Sequence, residues 1–205
     1  TLSKYDTIML YDVSSLTEPV MRDLATFVEE GRSMVIICSA TINPNEFNAT
    51  LGAPGRERVA LSPVKIGIDL TLDPPVAMDI AGGFAHDFGD GVSYEPGLWV
   101  APFRDRREGD LSIMRFRRLR KAVAIEPGAV VRLQGGGYPL AVEAVRGEGR
   151  VVVMLYGMEL SRGNIAMTKV FPLLTWRLMD YIGGRLQRRP PDTLTAATPA
   201  ALAVT

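Results

Sequence analysis

Two continuously apolar pentads, Thr7-Ile8-Met9-Leu10-Tyr11 and Met34-Val35-Ile36-Ile37-Cys38, bracket one amphipathic stretch near the start of the chain. A pentad without polar alternation has no face to give to water, so each reads as a strand buried on both sides in a parallel sheet. Between them, Thr17 is placed to cap a helix with Pro19 in its first turn. Val20, Met21, Leu24, Phe27 and Val28 then recur at helical spacing and Gly31 supplies the stop, which predicts a helix over 18–30. Burying those side chains is worth about 1.5–3 kcal/mol each against propensity differences of a few tenths, so the helix must dock on the sheet. Strand, helix and strand in this order make a right-handed βαβ unit.

The rest of the chain is less regular. Asn43-Pro44-Asn45-Glu46 has the form of a capping box and predicts a short helix through Phe47 and Leu51. Residues 52–111 hold many of the Gly and Pro residues and read as an irregular excursion with short strands around Val64–Leu72. A half-exposed strand is expected at Ser112–Arg120. Strands at Ala129–Gln134, Tyr138–Val145 and Arg150–Tyr156 are separated by Gly135-Gly136-Gly137 and Arg146-Gly147-Glu148-Gly149, which read as hairpin turns. A last helix is expected over Ala166–Ile182, with Pro172 in its first turn or kinking it, and Gly183-Gly184 ending it. The expected arrangement is an open, mostly parallel, flavodoxin-like sheet flanked by helices with an added β-hairpin region. Strands 7–11, 34–38 and 150–156 are its centre. One α/β domain is expected over 1–185, with 186–205 as a linker or the start of a following domain.

Composition limits the function classes. Lys plus Arg equals Asp plus Glu at 23 each among 205 residues, so no overall field draws the chain to nucleic acid or to an anionic membrane surface. Cys38 is the one cysteine and His86 the one histidine, which rules out an intrachain disulfide and any structural zinc site of Cys/His type. No metal and no cofactor is expected. No apolar run approaches the ~18 residues of a membrane-spanning helix, so any membrane attachment has to come from segments outside this chain. The opening on Thr1 directly before a strand, and the loose Thr193–Pro199 end, are what a domain cut from a longer protein would show.

Four stretches taken in order carry a resemblance: Tyr5–Val13 with the helix after Leu16-Thr17; Asn48-Ala49-Thr50-Leu51-Gly52; Ala101-Pro102-Phe103-Arg104-Asp105 continuing to Gly109-Asp110-Leu111-Ser112; and Gly149–Val153 before a helix containing Phe171-Pro172-Leu173-Leu174. Over about residues 5–185 the chain resembles the class I glutamine amidotransferase-like domain of bacterial membrane proteins with an aerotolerance-type N-terminal region. The resemblance implies a flavodoxin-like sheet, a membrane-anchored envelope protein, and a domain on the extracytoplasmic face. The chain departs from the family after Tyr156: an Asp-x-Asp-Trp-like stretch is usual there, and Gly157-Met158-Glu159-Leu160-Ser161-Arg162-Gly163-Asn164 stands in its place.

True class I amidotransferases use a Cys on a strand-to-helix elbow, a His base and an orienting Glu. Cys38 closes a strand, but Ser39-Ala40-Thr41-Ile42 follows where elbow glycines would relieve crowding, and no His follows the late strand. If the chain were an enzyme, its triad would have to be Cys38, His86 and Glu159, with Cys38 and the His86 ring brought within hydrogen-bond reach. The expectation is that they lie more than ~8 Å apart, well beyond that range. The leading reading is a non-catalytic module serving assembly or ligand binding, with an unnamed protein partner or small ligand and no nucleic acid. A Cys38-dependent glutamine amidotransferase or hydrolase is the alternative. Asp12 and Ser14 follow the first strand, at the carboxyl end where open α/β sheets bind ligands, and are the ligand-binding candidates if a small-molecule site survives; the simpler reading of Ser14 and Ser15 is as caps of the following helix. Arg115, Arg117, Arg118, Arg120 and Lys121 suggest a polyanion patch or, more simply, a charged edge strand. Asp87, Asp90 and Glu95 read as solvated acids and not as a calcium loop.

Overall fold

The structure is a computed structural model and describes residues 2–55, 59–80, 99–104, 106 and 108–184. Strand β1 (Thr7–Tyr11), helix α1 (Glu18–Glu29) and strand β2 (Ser33–Ile37) open the chain, followed by a short helix α2 (Pro44–Ala49). Strands β3 (Val64–Ile80), β4 (Arg115–Ile125), β5 (Val130–Gly135), β6 (Tyr138–Arg146) and β7 (Gly149–Met154) come next, and helix α3 (Phe171–Ile182) closes the described region.

The seven strands of the described residues form one sheet in the order β1-β2-β7-β6-β5-β3-β4. The pairs β1–β2 and β2–β7 are parallel, with Leu10 opposite Ile36 and Ile36 opposite Val153. The four remaining pairs, β7–β6, β6–β5, β5–β3 and β3–β4, are antiparallel. The sheet is therefore mixed and mostly antiparallel, which overturns the expected flavodoxin-like, mostly parallel architecture. β1 lies at an edge and not at the centre. The physical reason is connection length: parallel neighbours need a crossover, whereas a two-residue turn forces its strands antiparallel. At the β5–β6 turn Gly136 (φ 55°) and Gly137 (φ 87°) take the two left-handed positions that a type I′ hairpin demands. The hairpins are half the sheet, not an addition to it.

The stretch expected to be irregular contains the 17-residue β3. Its pairing with β4 shifts register three times, between Lys65 and Ile66, Ile66 and Asp69, and Thr71 and Val76, so no strict two-residue period survives in the sequence. Helix α3 begins at Phe171 and not at Ala166; Ile165–Met167 forms a separate 3-10 turn, and Pro172 sits in the first turn of α3, where a missing N–H costs nothing. In α1, Met21, Leu24, Ala25, Phe27 and Val28 are buried while Val20 is exposed.

The two faces of the sheet bury separate cores. On one, α1 and α2 cover Met34, Ile36, Val151 and Val153; on the other, α3 covers Val35, Ile37, Val152 and Met154. Alternate residues of one strand supply opposite cores, which is why β2 is buried throughout. The Asn48 side chain stands in for a strand partner at the first β3 irregularity: its Nδ2 donates to Ile66 O (2.7 Å) and its Oδ1 accepts from Ile66 N (2.9 Å). Ile66 is fully buried, so both backbone groups lose their partners if this amide is removed. Asn48→Ala is expected to lower unfolding free energy by about 2–4 kcal/mol, the penalty for two unsatisfied buried groups. A urea titration should show the midpoint falling at unchanged m.

Candidate functional site

The carboxyl ends of β1, β2 and β7 meet at one edge of the sheet, and the chain leaves each strand through polar residues. After β1, Asp12 adopts a left-handed φ of 59°, a conformation Asp tolerates better than most residues, and its N–H still donates to Ile37 O (3.0 Å). After β2, Cys38 remains in the ladder, donating to Met154 O (2.8 Å), and Ser39-Ala40-Thr41 turns away. After β7, Gly157 allows Glu159 to fold back; a Cβ on Gly157 would lie 1.9 Å from Glu159 Oε2. The Thr41 hydroxyl donates to Asp12 Oδ2, and the Ala40 N–H reaches Glu159 Oε1 at 3.5 Å. One short turn thus holds both carboxylates.

Two buried guanidinium groups stand behind them. Arg162 is fully buried and grips Asp69 through both terminal nitrogens, at 2.6 and 2.9 Å. Arg120 donates to the carbonyls of Ser39 (3.0 Å), Ala40 (2.8 Å) and Ile42 (2.7 Å) and lies 3.2 Å from Asp69 Oδ1. Around this group, Asp12 Oδ1, Ser39 Oγ, Glu159 Oε2 and Arg162 Nε are buried without a hydrogen-bond partner among the described residues. Glu159 Oε2 and Arg162 Nε face each other at 3.9 Å, beyond hydrogen-bonding reach. Tyr11 completes the rim; partial burial holds its phenol above the ordinary value, with the Met158 backbone opposing and the Glu159 and Asp12 charges adding to the rise.

Of the residues singled out from the sequence, Asp12 and Glu159 come together here. Ser14 does not cap α1; its Oγ accepts from Asn43 N (2.9 Å) and ties the loop after β1 to the start of α2. Thr17 is the α1 cap residue without a side-chain hydrogen bond. Cys38 is fully buried on the α1 side of the sheet, and burial pushes its thiol up to about 12, with the Asp12 charge adding to the rise and Arg120 and Arg162 opposing it. Such a thiol is not a nucleophile near neutral pH. His86 lies outside the described residues, as do Asp87, Asp90 and Glu95, so the expected Cys38–His86 separation concerns a residue outside the described set. The arginine strand is β4, an edge of the sheet: Arg115, Arg117 and Arg118 are exposed, but Arg120 is buried and belongs to the site. Asp69, Arg120, Arg162 and Ser39 were not identified as a group from the sequence, and the only local signal was a lone acid inside an otherwise apolar stretch, Ile68-Asp69-Leu70.

These features define a three-layer α/β domain with a mixed sheet and a polar, partly buried cluster of side chains at the carboxyl ends of its parallel strands. No protein-family model matches the chain, and no curated protein matches it in sequence. Among solved structures it is similar to the cytoplasmic protein STM1381 from Salmonella typhimurium LT2, with 14% identity, a TM-score of 0.59, and coverage of 88% of this chain and 73% of that one. It is also similar to the cytoplasmic protein STM3548 from Salmonella typhimurium, with 12% identity, a TM-score of 0.57 and coverage of 88% and 72%. At these identities the likeness is one of fold. Among the described residues no helix is long and apolar enough to cross a membrane.

Two outcomes follow from the geometry. Asp69→Asn leaves Arg120 and Arg162 buried without their common counter-charge and is expected to cost about 3–5 kcal/mol, read from denaturant midpoints. Cys38 has a higher pKa in the fold than the ordinary value of 9.0, so the unfolded state releases the proton first. Its contribution to stability is complete below about pH 9 and is lost as pH rises toward 12. Cys38→Ala should therefore flatten the alkaline fall in stability over that window, read from urea midpoints at a series of pH values.

Proposed function

We propose that this is a non-catalytic α/β domain of amidotransferase-like kinship that binds a small ligand at the carboxyl ends of β1, β2 and β7. The observation that carries the reading is the gathering of unpaired, buried polar atoms on Asp12, Ser39, Glu159 and Arg162 at that one edge. Buried polar atoms without partners are costly and rare, and a group of them in one place is what a ligand-binding pocket retains before its ligand arrives. The deep burial of Cys38 speaks against thiol chemistry. The kinship rests on the sequence motifs, and so does the further reading that the domain serves a membrane-anchored envelope protein on its extracytoplasmic face; in that reading the anchor lies outside the described residues.

A thermal-shift panel of amines, sugars, carboxylates and nucleotides tests the proposal. At least one class is expected to raise Tm in the native chain and to lose its effect in the double variant Asp12→Asn, Glu159→Gln. The amidotransferase alternative predicts something different: stoichiometric modification of native protein by a glutamine-analogue electrophile such as 6-diazo-5-oxo-norleucine. Modification that disappears in Cys38→Ala would overturn the non-catalytic reading.

A further inference from the structure

The two edges of the sheet differ in kind. At β4 the edge carries exposed Arg115, Arg117 and Arg118, its pairing with β3 is broken by register shifts, and the segment after β7 lies against it, with Arg162 O accepting from Arg117 N. Charge, irregularity and cover are the usual means of keeping a strand edge from pairing with another chain. β1 has none of them: Thr7–Tyr11 holds no charged residue and no proline, and its register with β2 is unbroken. Ser33 N donates to Asp6 O (3.2 Å) and Asp12 N to Ile37 O (3.0 Å), so the even-numbered residues turn their backbone groups to β2. Thr7, Met9 and Tyr11 therefore turn N–H and C=O outward, where no strand of the described residues meets them.

The side chains beside this edge are apolar as well. Met9 lies against Thr175 and Met179 of α3, and both Met9 and Tyr11 keep over two-fifths of their surface in water. Tyr181, on one flank of α3, donates to Glu143 of β6, so by helical spacing the opposite flank, with Met179 and the half-exposed Trp176, is the one toward β1. On the other face Ile8 and Leu10 are only partly buried.

The pentad is complementary to itself. Paired antiparallel about Met9, Thr7 meets the second copy's Tyr11, Met9 its Met9 and Ile8 its Leu10. A β-branched residue opposite an aromatic one is a favourable cross-strand pair, and no like charges oppose one another within the ladder. A register shifted by two residues leaves Thr7 or Tyr11 without a mate. Beyond the ladder Asp12 has already left the strand at φ 59°, and its carboxylate is held by Thr41. A two-fold axis between the paired Met9 residues puts both α3 helices on one face of the joined sheet, with Trp176 of each copy toward the seam. Half-exposed Tyr5, Tyr11 and Trp176 with Met9 offer roughly 400 Å² a side, about half of what a stable complex buries per partner, so the association is weak and reversible.

We propose that β1 is a self-association edge: it pairs with β1 of a second copy, antiparallel and centred on Met9, to give a weak two-fold dimer with one sheet running through both copies. Thr7 with the second copy's Tyr11, Met9 with its Met9, and Tyr11 with its Thr7 each exchange a pair of N–H···O bonds. The proposal is independent of what the polar cluster binds. Sedimentation equilibrium of the full chain over about 10 μM to 1 mM should show mass rising toward twice that of the chain and no further. Over the same range amide exchange should slow most at Thr7, Met9 and Tyr11, whose N–H groups face outward, and least at Ile8 and Leu10, which already bond to β2. Met9→Lys and Met9→Glu each set like charges across the two-fold axis at a half-exposed position and should weaken association at least about tenfold. Mixed in equal amounts, the two variants should form a dimer again, because lysine then faces glutamate. A chain that stays monomeric to about 1 mM leaves the edge for a strand of some other protein and overturns the proposal. So does a dimer that either folded variant retains, or two folded variants that do not rescue one another. If a variant fails to fold, the exchange pattern of the native chain decides: slowing confined to residues outside β1 overturns the proposal.

Discussion

Two arginines taken out of water set the geometry of the functional edge. Arg162 and Arg120 are both buried, and removing a guanidinium group from solvent costs several kcal/mol unless its donors are met. Asp69 supplies the counter-charge to both, and the carbonyls of Ser39, Ala40, Ile42 and Gly67 accept from the Arg120 guanidinium. These partners come from the middle of β3, the middle of β4, the turn after β2 and the segment after β7. One electrostatic requirement thereby joins the parallel half of the sheet to the antiparallel half and fixes the turn that carries Ser39 and Thr41.

A second charged group does comparable work on the other core. Glu143 is buried on β6, where it accepts from Arg132 (2.9 Å), Arg150 (2.8 Å) and the Tyr181 hydroxyl (2.7 Å). Tyr181 belongs to α3, so this group pins the helix over the hairpin strands, while Leu174 and Leu178 pin it over β2 and β7. Here the polar atoms are matched. Asp12 and Glu159 differ: both are only partly buried, and each keeps one oxygen without a partner among the described residues, whereas the fully buried Glu143 has both oxygens met.

Close backbone approaches reinforce the same regions. Gly163 brings its chain against β4, where a Cβ would lie 2.3 Å from Arg115 O, and the Arg162 carbonyl accepts from Arg117 N at 2.7 Å. The segment after β7 therefore pairs along the outer side of β4 at Phe116 and Gly163. That places Arg162 beneath the sheet edge and Glu159 beside the turn at Ala40, only three residues apart in sequence. Exposed Arg115, Arg117 and Arg118 keep the rest of this edge charged, as sheet edges commonly are.

By itself the sequence determined the elements whose signals are local. Apolar pentads marked β1 and β2, the Met21–Val28 spacing marked α1, Asn43-Pro44 marked the start of α2, and glycine pairs marked the hairpins, because each depends on residues within a few positions of one another. It also marked Asp12 as a carboxyl-end residue. Tertiary structure decided what depends on long-range pairing: that the hairpin strands extend the parallel trio into a mixed sheet, that β3 runs 17 residues through three register shifts, and that β1 stands at the edge. It alone decided the site. Arg120 looked like one more charge on a solvated strand, and only pairing across 51 residues to Asp69 and 81 residues to Ser39 shows it buried, since nothing local distinguishes an arginine that faces water from one that replaces water with carbonyls.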